Sequence, residues 1–209
     1  MKTADLNFAL KDFMRSQLRP LGYRGRKGYY GFVKDLPHAN GDVEFDYSYT
    51  NYSPWCHKLQ FCASVRHESI EKSIREVLGI GPMAEFLSSY SIHVTAGYFE
   101  KNANFSYEIK TEDDLESCLS RSIEKILLMD SMCCKCSDIE YITDCLNEEL
   151  STGLNYLSGD PLNRYYRMLL LNKLTNSPQY TLALEYVTGL QFYPTNAVFK
   201  SIIDRIKDV

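Results

Sequence analysis

No run of apolar residues in this chain approaches the ~20 needed to cross a bilayer as a helix, so a helical membrane span is not expected. The first residues, MKTADLNFALKDF, break their apolar pattern with Asp5, Lys11 and Asp12. That is the signature of an amphipathic helix and not of a signal peptide. Histidine is scarce: His38, His57, His67 and His93, none of them in an H-E-x-x-H arrangement. No G-x-S-x-G elbow occurs either, so the familiar metalloprotease and serine-hydrolase signatures are excluded. A strongly basic balance is missing as well. The net charge is −4, which disfavours nucleic acid as a partner. The seven cysteines form no regular framework, which with the missing export signal points to free thiols in a reducing cytoplasm.

What is present fits a globular protein. A hydrophobic content of 44% over 209 residues is enough to bury a core without disulfides or metals. Charge is uneven: residues 1–66 carry ten Lys/Arg and six Asp/Glu, whereas residues 67–209 carry thirteen and twenty-one. The balances are +4 and −8, and the acidic part suits a basic protein partner. Sixteen tyrosines stand against a single tryptophan, Trp55; tyrosine serves at interfaces because it joins a large ring to a hydroxyl.

The clearest pattern lies between Tyr29 and Arg66, where three antiparallel strands are predicted at Tyr29–Lys34, Asp42–Thr50 and Lys58–Arg66. Val43, Phe45, Tyr47 and Tyr49 alternate with Asp42, Glu44, Asp46, Ser48 and Thr50. Side chains change sides at each residue of a strand, so one face is dry and the other polar. In-phase pairing sets Tyr49 opposite Leu59, Tyr47 opposite Phe61, Phe45 opposite Ala63, Thr50 opposite Lys58 and Asp42 opposite Arg66. A slip of one residue would break both faces. Asn40-Gly41 marks the first turn, and NYSPWCH forms a longer second connection.

Helices are expected to cover the dry face. Leu6, Leu10, Phe13, Met14 and Leu18 give an apolar stripe over residues 4–19, ended by Pro20 and Gly22. A helix at His67–Leu78, a helical turn at Met83–Ser88 and a loose hairpin of SIHVTAGY with NFSYEI follow. Thr111 and Asp114 open a helix to about Leu128 with Leu115, Leu119, Ile123, Ile126 and Leu127 inward, and Ser137 with Glu140 opens another to about Leu150. Asp160-Pro161 and Ser177-Pro178 place an N-cap before a first-turn proline, giving helices over 161–175, 178–190 and 195–207. Prolines recur every 16–17 residues there, but tetratricopeptide signature residues are missing. The fold class is therefore α+β: an antiparallel or mixed sheet of about five strands packed on helices, with an all-helical C-terminal section. Residues 1–135 form the sheet part and 136–209 the helical part, either as two units or as one continuous domain.

Chemistry-bearing residues are thinly spread. GYRGRKGYYG offers Arg24, Arg26 and Lys27 among glycines 22, 25, 28 and 31. Such a loop can cradle an anion with bare backbone N–H groups, or simply feed the first strand; it lacks the Lys-Ser/Thr ending of a P-loop. Glu44 and Asp46 share a strand face and could divide acid and base roles, or form cross-strand salt links with Lys58 and Arg66. Cys133 and Cys136 make one C-x-x-C, with Cys118 and Cys145 on neighbouring helices. No second knuckle accompanies them, so inert thiols are expected over a metal site or redox pair, and no cofactor is expected. Cys56-His57 are adjacent in sequence, which is a poor geometry for a catalytic pair. The candidate binding residues are accordingly Arg24, Arg26, Lys27, Glu44, Asp46 and Trp55.

The segments RSQLRPLGYRGRKGYYGF (15–32), LQF (59–61) and SYEIKTEDDLESCL (106–119) resemble the family of uncharacterised bacterial proteins called domain of unknown function 4304, over about residues 5–145. Such families look like immunity or accessory proteins of bacterial toxin systems, which implies binding and not catalysis; the helices at 160–207 depart from the family. The expectation is a cytoplasmic, non-catalytic protein-binding module such as an immunity protein, with a basic partner such as a cognate toxin, and with neither nucleic acid nor membrane as a partner. The alternative is an enzyme of unfamiliar type using the polar sheet face or the basic glycine-rich loop. A deep pocket with convergent carboxylates, His or Arg would favour that alternative.

Overall fold

A computed structural model describes residues 3–26, 31–53, 56–79, 90–154, 156–157, 160–191 and 193–209. Lys27, Trp55, the start of the first predicted strand and the Met83–Ser88 turn lie outside the described residues. The fold is α+β, with an antiparallel sheet and an all-helical C-terminal section. Five strands run in order: β1 (Arg24–Gly25), β2 (Phe32–Leu36), β3 (Gly41–Ser53), β4 (Cys56–Arg66) and β5 (Ile92–Thr95). A sixth, β6 (Tyr107–Ile109), also pairs with β4.

The register between β3 and β4 is the one that the alternation demands. Phe45 faces Ala63, Tyr47 faces Phe61, Tyr49 faces Leu59, and on the other side Asp42 faces Arg66 and Thr50 faces Lys58. The strands run further than the alternation suggested, because pairing continues through Asn51–His57 to Ser53–Cys56. Most of NYSPWCH is therefore strand and not loop. Gly41 is needed at the first turn, since a Cβ there would collide with the Arg66 carbonyl across the ladder.

Helix α1 (Thr3–Leu18) and helix α4 (Glu112–Lys135) serve the dry face. Leu6, Leu10, Met14 and Leu18 are fully buried, and the Phe13 ring lies 6.1 Å from that of Phe61. Thr111 caps α4 in a reciprocal box with Asp114. The helix runs past Leu128 through Cys133 and Cys134, and Ile123 and Leu127 face outward while Cys118, Met129, Met132 and Cys133 are buried. The inward face differs from the stripe of large apolar residues because small buried residues, Cys118 and Ser122, carry part of it. At the next helix, α5 (Ile139–Thr152), the cap is Asp138 and not Ser137: the Asp138 carboxylate accepts the Glu140 N–H.

The expected hairpin of β5 and β6 does not form. Both pair with β4, β5 along residues 62–65 and β6 along 57–59, end to end on one edge. Ala96–Phe99 turns into a short helix, α3, closed by the Glu100 N–H on the Ala96 carbonyl. Ile92, Val94, Ala96 and Tyr98 fit an alternating pattern, but four residues are too few to distinguish a strand from a strand that ends in a turn.

Helices α2 (Glu68–Leu78), α6 (Pro161–Leu174), α7 (Tyr180–Thr188) and α8 (Ala197–Asp208) complete the chain. Asp160 caps α6, and Phe199, Ile202, Ile203 and Ile206 are the buried stripe of α8. Helix α6 lies among α5, α7, α8 and α2 and is buried from Tyr165 to Leu171. The buried residues of the sheet and of the C-terminal helices form one core. Among the described residues, no helix is long and apolar enough to cross a membrane.

A candidate anion-binding groove

The apolar stripe of α1 turns toward the sheet, so the residues between its members are left on the flank. Lys11, Arg15 and Arg19 follow at four-residue intervals and line up along one side. Pro20 ends the helix in a tight turn, and Gly22, at φ 91°, reverses the chain in the left-handed region. The chain returns as β1, which brings Arg24 and Arg26 opposite the helical stripe. The Arg26 N–H donates to the Gly31 carbonyl at 3.1 Å and closes the loop. Between helix and strand lies a groove of about 460 Å³, its walls formed by Lys11, Arg15, Arg19, Arg24 and Arg26, with Tyr23 and Phe32 also lining it. The described lining residues include five cations and no carboxylate.

These cations differ in how far they are neutralised. Arg24 holds Asp35 with two hydrogen bonds of 2.8 Å, and this keeps the Asp35 carboxyl below the usual carboxylate range. Arg15 stands 3.7 Å from Asp12. Arg26 reaches Glu44 at 3.3 Å. The Arg19 guanidinium makes no hydrogen bond or ion pair among the described residues. It stands exposed on the groove wall.

Arg26 is also the link to the polar face of the sheet. Glu44 is buried; one carboxylate oxygen accepts from Arg26 and from the Tyr90 hydroxyl at 2.8 Å. The other oxygen is buried with no donor among the described residues. Beside it, burial and then the Glu44 charge hold the Asp46 carboxyl above its ordinary range. Burial and the neighbouring Asp46 push the Cys62 thiol up to about 12. The expected salt links from Lys58 and Arg66 to this pair do not form in that way. The Arg66 guanidinium hydrogen-bonds Glu68 at 2.9 Å, and Lys58 faces Thr50 further along the ladder. Arg26 takes their place on Glu44.

The other sequence candidates separate from this groove. Cys133 and Cys136 are fully buried at the C-terminal end of α4, and burial drives both thiols well above their ordinary range. Cys118 and Cys145 are buried too. Among the described residues, no group of three or more His, Cys, Asp or Glu is placed to hold a metal ion. The His57 ring turns to the Asn51 side chain at 2.7 Å, not to the Cys56 sulfur. Of the groove cations, sequence reading singled out Arg24 and Arg26; it passed over Lys11, Arg15 and Arg19, although their four-residue spacing was visible. Lys27 and Trp55 lie outside the described residues.

The geometry suits holding an anion. Guanidinium forks match carboxylate and phosphate oxygens two at a time. The described lining residues supply no His, Ser or Cys to act as nucleophile or base. Comparison with known proteins returns no match: no protein-family model, no curated sequence and no solved structure aligns with this chain.

Proposed function

We propose that this protein is a non-catalytic binding module that captures an acidic segment of a protein partner in the groove between α1 and β1. One observation carries the reading: five cations converge on a single concavity in a chain whose net charge is −4. Concentrated like charge opposes the compact state, and a bound anion relieves it. An extended nucleic acid is a poorer fit. Specific nucleic-acid interfaces bury roughly 600–2,500 Å² of basic surface, whereas the balance beyond residue 66 is −8 and would repel a long polyanion. The resemblance to domain of unknown function 4304 supports a binding role.

A second reading rests on that same acidic remainder. Glu112 and Asp113 open α4 on the exposed surface, and a basic protein such as a cognate toxin, met in a reducing cytoplasm, would complement it. Fluorescence anisotropy separates the two. A fluorescein-labelled hexa-aspartate peptide is expected to bind at low salt, to weaken as salt rises, and to be lost in Arg19→Glu/Arg26→Glu. Tighter binding of hexa-lysine would move the function to the acidic surface. Equal or tighter binding of a single-stranded oligonucleotide would overturn the protein-partner reading.

A further inference from the structure

At the opposite edge of the sheet, a cavity of about 250 Å³ opens between β5, α5 and the start of α6. It shares no lining residue with the groove, and its reading does not rest on the function proposed there. Ile92, Leu146 and Leu157 supply its apolar walls; His93, Arg164 and Asp160 supply polar ones. The volume is a little below the ~300–1,000 Å³ of drug-sized sites, and the mixture of apolar wall with a few polar groups is that of a small-molecule pocket.

Its charges are largely matched within the protein. Arg167, also in the lining, forms a buried ion pair with Glu71 at 3.0 Å. Arg164 stands 3.3 Å from Glu149, whose other oxygen accepts the hydroxyls of Tyr165 and Tyr186. Asp160 is engaged by the Leu162 N–H and the Asn163 amide. A charged ligand would thus lose its hydration without meeting an uncompensated counter-charge. Hydrogen-bonding capacity is nevertheless left over. The Arg164 Nε is buried with no acceptor among the described residues. His93 commits one ring nitrogen, Nδ1, to Ser64 at 2.6 Å, and burial favours its neutral form.

We infer that this cavity binds a small uncharged carbonyl compound with a short apolar tail — an amide, ketone or lactone — whose oxygen accepts from Arg164 Nε and whose tail lies against Ile92, Leu146 and Leu157. An unpaired buried donor is where an added acceptor gains most, and a neutral acceptor adds no charge to a site already near electroneutrality. Because both arginines are held by carboxylates, the site is one for retention and not for turnover.

Ligand-observed saturation-transfer NMR on the full chain tests this with three probes that share a pentyl tail: hexanamide, hexanoate and pentylammonium. Hexanamide is expected to bind saturably and about tenfold more tightly than either ion. Leu146→Phe should fill the cavity and abolish the signal; Leu157→Phe does the same from another wall should the first variant fail to fold, as judged by circular dichroism. Arg164→Lys keeps the charge facing Glu149 but has no Nε–H, and is expected to weaken hexanamide about tenfold while leaving the ions unchanged. The inference is overturned if hexanamide shows no saturable binding, if folded cavity-filling variants bind it as well as the natural chain does, or if either ion binds more tightly than the amide.

Discussion

Arginines stand at both edges of the sheet, and the two edges treat them in opposite ways. By β1, Arg24 and Arg26 are 65% and 60% exposed, their carboxylate partners are shared with water or lie behind them, and the cationic sides face a groove. By β5, Arg167 and Arg164 are 6% and 13% exposed; Arg167 is hydrogen-bonded to Glu71, and Arg164 stands 3.3 Å from Glu149. The first arrangement keeps charge available to a visitor. The second uses charge to fasten α6 to α2 and α5, because an ion pair in low dielectric cannot lose one member without leaving the other stranded. One residue type thus serves recognition at one edge and assembly at the other.

Removing one arginine from each edge should expose the difference, and the inner edge should respond most. Arg167→Met leaves the Glu71 carboxylate buried with the Ser91 hydroxyl as its remaining donor among the described residues, and is expected to cost about 3–5 kcal/mol in urea unfolding. Glu71→Leu combined with Arg167→Met should recover most of that loss. Arg24→Gln breaks a well-formed but exposed pair and should cost far less, because water screens such pairs. Equal costs for the two single variants would break the contrast.

The inner edge should also respond to acid. Burial holds His93 and His67 below the ordinary histidine range. The unfolded chain therefore takes up protons from about pH 6.5 downward while the folded chain still resists them. Stability is expected to fall as pH drops from 7 through that window, until the folded histidines protonate as well. Asp42 and Asp46 act in the opposite direction: burial raises both, so acidification toward the unfolded aspartate value relieves the cost of keeping them ionised. Unfolding midpoints across pH 4–7 should show the histidine slope, and His93→Asn should flatten it.

The strand pair at the centre was legible because its alternation has one consistent register: Tyr47 on Phe61 and Asp42 on Arg66 follow from the same phase. The capping of α4 and α6 was legible for a similar reason, since cap and capped residue are neighbours. Helix α6 was legible in extent but not in surroundings. Burial from Tyr165 to Leu171 leaves no stripe to read, and its fastening depends on Glu71, which lies 96 residues from Arg167. The groove fell between these cases. The spacing of Lys11, Arg15 and Arg19 was local, yet it gains meaning only when β1 lies opposite, and that depends on the chain reversal at Gly22. β5 and β6 were misassigned because short alternating segments name a strand and not its partner.

The smallest expected effect is the most telling for the outer edge. Arg15→Gln/Arg19→Gln removes two cations from a cluster of five; among the described residues the Arg19 side chain has no partner to lose, and Arg15 has an exposed one at 3.7 Å. A surface change of this kind should alter stability by no more than about 0.5 kcal/mol, and its sign should be favourable because it relieves repulsion among the remaining groove cations. That gain should fade with added salt, since the screening length falls to about 3 Å at 1 M. Urea midpoints at low and high salt measure both the sign and the fading. A loss above about 1 kcal/mol, insensitive to salt, would mean that these side chains support the fold by packing, and the cationic groove would then be a structural seam without a surplus of charge to offer an acidic partner.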